Sequence, residues 1–183
     1  MSPPATQTIA QAEAAVLASA DALFYERGVS AVSVADIRDR SCVSLRRIYS
    51  LFATKGDIVT GWLRHRHTGW MADLAQGIEH RCEQGSHPVE AVFDWLEQWL
   101  AETHYRGCGF INTLAESGEL TAEHTDLIRA HKKALAEYLD DLPQTRGRGD
   151  ELAVLIDGAI VQAAVFASPA PVATARNLAM ATV

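Results

Sequence analysis

An all-α protein of about nine helices is what this sequence predicts, and three observations carry the prediction. Apolar residues recur at three- and four-residue spacing through most of the chain, the pattern of helices with one buried face. Ser or Thr stands ahead of several of these runs with an acid three positions on, as in Ser33 with Asp36 and Thr54 with Asp57, which is how helix N-termini are capped. No run alternates apolar and polar residues as a half-buried strand does, and no repeat or low-complexity tract intervenes. With 183 residues and 48% apolar content, the chain can bury a sizeable core in one or two domains.

Taken in order, Val16, Ala20, Leu23 and Phe24 give a first helix from about Thr8 to Arg27, and Gly28 suits the left-handed position after its end. Ser33 opens a second helix that turns Val34 and Ile37 inward. Ser44 caps a third, Leu45 to about Leu51, and Thr54 a fourth, Lys55 to about Gln84. Val59, Trp62, Leu63, Trp70, Leu74 and Ile78 form the inner stripe of the fourth helix. Gly85 to Pro88 ends it, and Pro88 fits the first turn of a fifth helix reaching about Thr103. Val89, Val92, Phe93, Trp95, Leu96, Trp99 and Leu100 leave that helix apolar over more than half its circumference, so it is buried on several sides.

A short sixth helix runs from Phe110 to about Glu116, and Ser117, Gly118 and Thr121 mark the next boundary. The seventh, Thr121 to about Leu139, carries His124, Ile128, His131, Leu135 and Tyr138 on one stripe. Residues 140–150, with a proline and two glycines, read as a loop. Helices from Glu151 to Ala167 and from about Val172 complete the chain.

The formal charge of −7 and pI near 5.4 are unusual for a partner of nucleic acid, but the charge is unevenly placed. Residues 1–60 carry six bases and six acids, so the whole excess of acid lies beyond them. Between Arg38 and Lys55 five bases face only Asp39. An acidic body with one basic patch favours a single docking orientation on DNA. The patch coincides with two short capped helices joined by a tight turn, the pattern of a helix-turn-helix whose second helix enters the major groove.

The residues around that patch resemble the N-terminal domain of the TetR family of transcriptional regulators. The resemblance runs from about Val16 to Val59, through Leu23-Phe24-Tyr25-Glu26-Arg27-Gly28, Ser33-Val34, Ile37, Val43-Ser44, Ile48-Tyr49-Ser50-Leu51-Phe52 and Lys55. It implies a helix-turn-helix DNA-binding domain over residues 1–54 and a helical ligand-binding and dimerisation domain over 55–183. It also implies that Ser33, Ser44, Leu45, Arg46, Arg47, Tyr49 and Lys55 contact double-stranded operator DNA. Chemistry agrees with those roles. An arginine can grip guanine O6 and N7 in a bidentate fork. A lysine adds a point charge for a phosphate, and Leu45 offers only an apolar contact. The bland reading of Arg46 and Arg47 is a solvated helix face, and that of Tyr49 is packing. The chain departs from the family in the turn, where Ser41-Cys42 replaces the usual Ala-Gly. A positive φ at a residue other than glycine costs roughly 1 kcal/mol or somewhat more, so the turn is either strained or differently shaped.

The resemblance extends to function. It implies a repressor released from a palindromic operator by a small apolar or aromatic effector, and a homodimer formed through the last two helices. Trp62, Trp95, Trp99, Phe110, Asn112, His131 and Tyr138 are the candidate effector contacts, with ordinary core packing as their alternative. Arg106-Gly107-Cys108 through Asn112 to Glu116 loosely resembles a segment of the second domain in some members. A DNA-bound protein controlled by a protein partner is the rival reading, which a second domain without a cavity would favour.

No cofactor or metal is expected. His65 with His67, and His80 with Cys82, lie two apart on a helix and face different sides, while His104 and Cys108 flank Gly107. Three cysteines at no ligand spacing suit a reducing cytoplasm, and the N-terminus has neither a basic region nor an apolar run for secretion. No stretch approaches the roughly 18 apolar residues of a membrane span. Neither a nucleophile–base pair, a carboxylate dyad nor a phosphate loop is legible, so an enzyme is not expected.

Overall fold

The computed structural model describes residues 7–102, 105–116 and 120–181, and among them every regular element is an α-helix. The helices are α1 (Ile9–Arg27), α2 (Val34–Ser41), α3 (Leu45–Leu51), α4 (Lys55–Glu83), α5 (Pro88–Leu100), α6 (Gly109–Ala115), α7 (Ala122–Asp141), α8 (Gly149–Phe166) and α9 (Ala170–Met180). Their starts follow the caps. The Thr8 hydroxyl accepts the N–H of Gln11, Ser33 that of Asp36, Ser44 that of Arg47 and Thr54 that of Asp57. Each bond satisfies one of the amide donors that a helix N-terminus leaves without a partner. No described helix is long and apolar enough to cross a membrane.

Several ends differ from the sequence reading. Helix α5 stops at Leu100, and the expected end at Thr103, like His104 and the Ser117-Gly118 boundary, lies outside the described residues. The loop expected over 140–150 is shorter, because α7 continues to Asp141 and α8 begins at Gly149. The Asp140 carboxylate accepts the N–H groups of Gly147 and Gly149 at 2.7 and 3.0 Å, and these bonds, the one from Gly149 first, hold its pKa below the ordinary value. Gly149 packs so close to α7 that a Cβ would lie 2.2 Å from the Ala136 carbonyl oxygen. Its glycine serves close approach inside a helical turn and does not break a helix.

The chain forms two compact units, Met1–Arg66 with Thr113–Leu127, and His67–Asn112 with Ile128–Val183. They are drawn differently from the division expected at residue 54, since the first turns of α4 bury Ile58, Val59 and Trp62 in the first unit. That unit also buries Val16, Leu23 and Phe24 of α1, Ile37 of α2 and Ile48 of α3. Each such side chain contributes roughly 1.5–3 kcal/mol by leaving water. In the second unit α5 buries Val89, Val92, Phe93, Trp95, Leu96 and Trp99, as its wide apolar surface requires.

Candidate nucleic-acid interface and aromatic core

Helices α2 and α3 are fixed by their ends. Besides accepting the Asp36 N–H, Ser33 donates its own N–H to the Asp36 carboxylate at 2.8 Å, completing a capping box. The Ser33 hydroxyl, its backbone N–H and Arg27 hold the Asp36 pKa below its ordinary 3.8. Helix α2 ends on Cys42, whose φ of 56° and ψ of 20° are left-handed and whose N–H donates to the Arg38 carbonyl at 2.9 Å. Of the two shapes open to the turn, the strained one is adopted, at a cost of roughly 1–2 kcal/mol relative to a relaxed backbone. The Cys42 side chain is exposed.

Ile48, fully buried, plugs α3 into the core. Because successive helical residues are turned by about 100°, that anchor sets where its neighbours face. Arg46 and Tyr49 are exposed, Tyr49 to 50%, while Leu45 and Arg47 are half-exposed. Among the described residues neither the Arg46 nor the Arg47 guanidinium enters an ion pair. Arg38, by contrast, is bound to Asp39 at 2.6 Å. Arg40, Arg46 and Arg47 carry the positive charge of the patch on α2 and α3, and the half-exposed Lys55 stands at the start of α4. Ser33 uses its hydroxyl as both donor and acceptor within the capping box, whereas Ser44 uses its hydroxyl as an acceptor from Arg47. The result is a short helix locked on one face and presenting arginine, arginine and tyrosine on the other, a surface suited to base edges and phosphates.

The second unit contains an aromatic cluster. Trp95 and Trp99 stack with centroids 5.9 Å apart, and Trp70 stands edge-on to both at 5.2 and 5.8 Å. Trp70 also meets His131 edge-on at 5.3 Å, while Phe110 stacks on His131 at 3.7 Å. The Nδ1 atoms of His67 and His131 are 3.0 Å apart, so one carries the proton and the other accepts it. Tyr105 stands edge-on to Trp99 at 5.2 Å and donates its hydroxyl to the Ile160 carbonyl at 2.8 Å. Gly77 makes this packing possible, since a Cβ there would lie 2.2 Å from the Trp95 ring. The Trp95 indole donates to Asp73 at 3.2 Å.

Of the residues expected to contact an effector, Trp95, Trp99, Phe110 and His131 are brought together. Trp62 is not among them. It lies in the first unit, edge-on to Phe24 at 5.2 Å, with its indole donating to Asp21 at 2.7 Å. Asn112 is exposed and donates its amide to the Arg106 carbonyl at 2.7 Å. Tyr138 sits elsewhere on α7, where burial, then the nearby Cys82 and Glu79, raise its phenol pKa. Sequence reasoning placed Trp70 only in a core stripe, weighed His67 only as a metal ligand and passed over Tyr105. The His67–His131 pair could not be read because it joins side chains 64 residues apart.

Helices α8 and α9 leave an apolar surface uncovered. Val154, Val165, Phe166 and Leu178 are 71, 70, 68 and 56% exposed. Val154, Phe166 and Leu178, with Leu155, Gly158, Ala159 and Ala175, line a groove of about 550 Å³.

Comparison with known proteins gives these arrangements a context. Residues 16–60 match the sequence model of the bacterial regulatory proteins of the tetR family. A helix-turn-helix-type transcriptional regulator of Lactococcus lactis, encoded in the lacX 3' region and uncharacterised, is 24% identical over 128 residues. That stretch covers 69% of this chain and 62% of the relative, so the match spans less than two thirds of the relative's length. A TetR-family transcriptional regulator from Streptomyces coelicolor superposes with a TM-score of 0.75 at 23% identity, over 92% of each chain. A TetR transcriptional regulator from Legionella pneumophila does so with a TM-score of 0.77 at 16% identity, over 99% of this chain and 100% of that one. At these identities the two superpositions establish the fold.

Proposed function

We propose, from the match of residues 16–60 to the tetR family and the shared fold, that this chain is a TetR-family transcriptional regulator, a homodimeric repressor that an apolar or aromatic effector releases from a palindromic operator. Residues 1–54 read DNA in this account, and residues 55–183 hold the effector and the dimer contact. The observation that carries the proposal is α3, locked by Ile48 with Arg46, Arg47 and Tyr49 turned outward on the one basic patch of an acidic chain. Arg46 and Arg47 would read bases, Leu45 would touch a thymine methyl, and Ser33, Ser44, Tyr49 and Lys55 would hold phosphates.

The uncovered apolar face of α8 and α9 supports the dimer, because exposed apolar area of that kind marks an association surface. Trp95, Trp99, Phe110 and His131, joined by Trp70, Tyr105 and His67, support an effector with aromatic or apolar surface. Release requires that the effector bind the conformation that does not fit DNA more tightly than the one that does. Selection from random-sequence duplexes followed by footprinting tests the proposal. Enrichment of an inverted repeat protected at both halves is expected, and failure to enrich any sequence would remove the proposal.

A further inference from the structure

We infer that Cys108 is an oxidation site, at which a hydroperoxide drives formation of a covalent sulfur–nitrogen link to Lys132. The Lys132 ammonium lies 3.6 Å from the Cys108 sulfur and 2.5 Å from an Asp157 carboxylate oxygen. A sulfur open to oxidation, an amine able to attack it and a carboxylate able to take the amine's proton thus stand in a row. All three side chains belong to the second unit.

Each partner is held in place. Cys108 directly precedes α6, and its carbonyl accepts the Asn112 N–H at 2.9 Å, while the Asn112 amide donates to the Arg106 carbonyl at 2.7 Å. One residue of α6 therefore fixes the backbone on both sides of Gly107. Lys132 extends from α7 and Asp157 from α8. Cys108 is 7% exposed, whereas the Lys132 and Asp157 side chains are 25 and 30% exposed. A small hydroperoxide can reach such a sulfur, but a bulky thiol has little room to form a mixed disulfide, so the nucleophile already in contact is the one that resolves the oxidised sulfur. Cys42 differs. It is exposed, and its sulfur meets the Asp39 carbonyl at 4.0 Å, which offers no nucleophile.

In the first step the thiol sulfur attacks the O–O bond. Sulfur is oxidised by two electrons to the sulfenic acid, and the hydroperoxide is reduced to its alcohol, or to water when it is hydrogen peroxide. In the second, Asp157 takes one proton from the Lys132 ammonium and the Nζ lone pair attacks sulfur. The S–O bond breaks, and the hydroxide leaves as water with a second proton from nitrogen. Two equivalents of a small thiol reverse the link, regenerating thiol and amine and becoming a disulfide.

The test treats the full-length protein with hydrogen peroxide and reads intact mass and peptide maps. The expected product is lighter by two hydrogens, carries a cross-link between the Cys108 and Lys132 peptides, and reverts with dithiothreitol. The loss should persist in Cys42→Ser/Cys82→Ser, where Cys108 is the one cysteine left and no intramolecular disulfide can form. Lys132→Arg keeps a positive charge beside Asp157 but should give no link, with Cys108 gaining oxygen instead. Asp157→Asn should slow the link about a hundredfold. Oxygen gain at Cys108 of the wild type with no bond to Lys132, or a Cys108 left unmodified, would overturn the inference, and an unchanged rate in Asp157→Asn would overturn the part given to Asp157.

Discussion

Ser33 and Asp36 of the helix-turn-helix bond across three residues, whereas His67 and His131 of the aromatic cluster meet across 64. In the first region the backbone is shaped by neighbours in the chain, and Ile37, Val43 and Ile48 anchor it to the core. Its outer face is thereby left open for side chains chosen for what they bind. In the second region each ring is held by other rings, so a side chain there cannot change without altering what surrounds it. The difference teaches where substitutions should register: on the outward face of α3 as lost binding, and in the buried rings as lost stability first.

Trp62 offers the sharpest way to break that division, because sequence placed it with the effector residues and the fold places it in the core of the first unit. Trp62→Ala should cost about 3–5 kcal/mol in urea unfolding. A loss below about 1 kcal/mol would return Trp62 to the expendable surface of a binding site. Next in size, Arg46→Ala or Arg47→Ala should remove about 1–3 kcal/mol of preference for the selected duplex over random DNA, with unfolding unchanged. Lys55→Ala should weaken both kinds of DNA alike and lower the salt slope by about 1. Fluorescence anisotropy across a salt series reads both effects. Equal losses on specific and random DNA for the arginine variants would mean that they hold phosphates and do not read bases.

Smaller is the expected effect at the turn. Cys42→Gly relieves a left-handed non-glycine and should stabilise the protein by up to about 1 kcal/mol, again by urea unfolding. Destabilisation would show that the thiol side chain matters more than the backbone. Smallest is the acid response of the α2 cap. Asp36 has a folded pKa below its ordinary 3.8, set first by the Ser33 hydroxyl. Its contribution is therefore complete above that value and lost as pH falls through the folded pKa. Asp36→Asn should be less stable than wild type at neutral pH, and the gap should close in strong acid. A gap that widens on acidification would contradict the capping role.

The same contrast explains what could be read from the chain. The starts of α2, α3 and α4 were legible at Ser33, Ser44 and Thr54 because a cap and its partner lie within one turn. Arg46, Arg47 and Tyr49 were legible as outward residues once Ile48 was read as core. The Cys42 turn was legible as an anomaly but not as a conformation, since sequence cannot choose between strain and a different shape. Trp62 and Trp70 share one apolar stripe on α4, yet the helix passes from one compact unit to the other between them, so a single stripe serves two cores. The amide of Asn112, expected as a polar contact for a ligand, donates to the Arg106 carbonyl, a partner that spacing alone did not indicate. Gly149 looked like a loop residue because composition does not report a close approach to the Ala136 carbonyl.

The central claim is that α3 reads DNA sequence, and footprinting of wild type and Arg46→Ala on the duplex selected by the wild type tests it most directly. The account predicts protection of two half-sites about one helical turn apart, 34–36 Å between centres, with the Arg46 variant losing the boundary between protected and unprotected sequence. Protection of no defined site by the wild type, or an identical footprint from the variant, would contradict it.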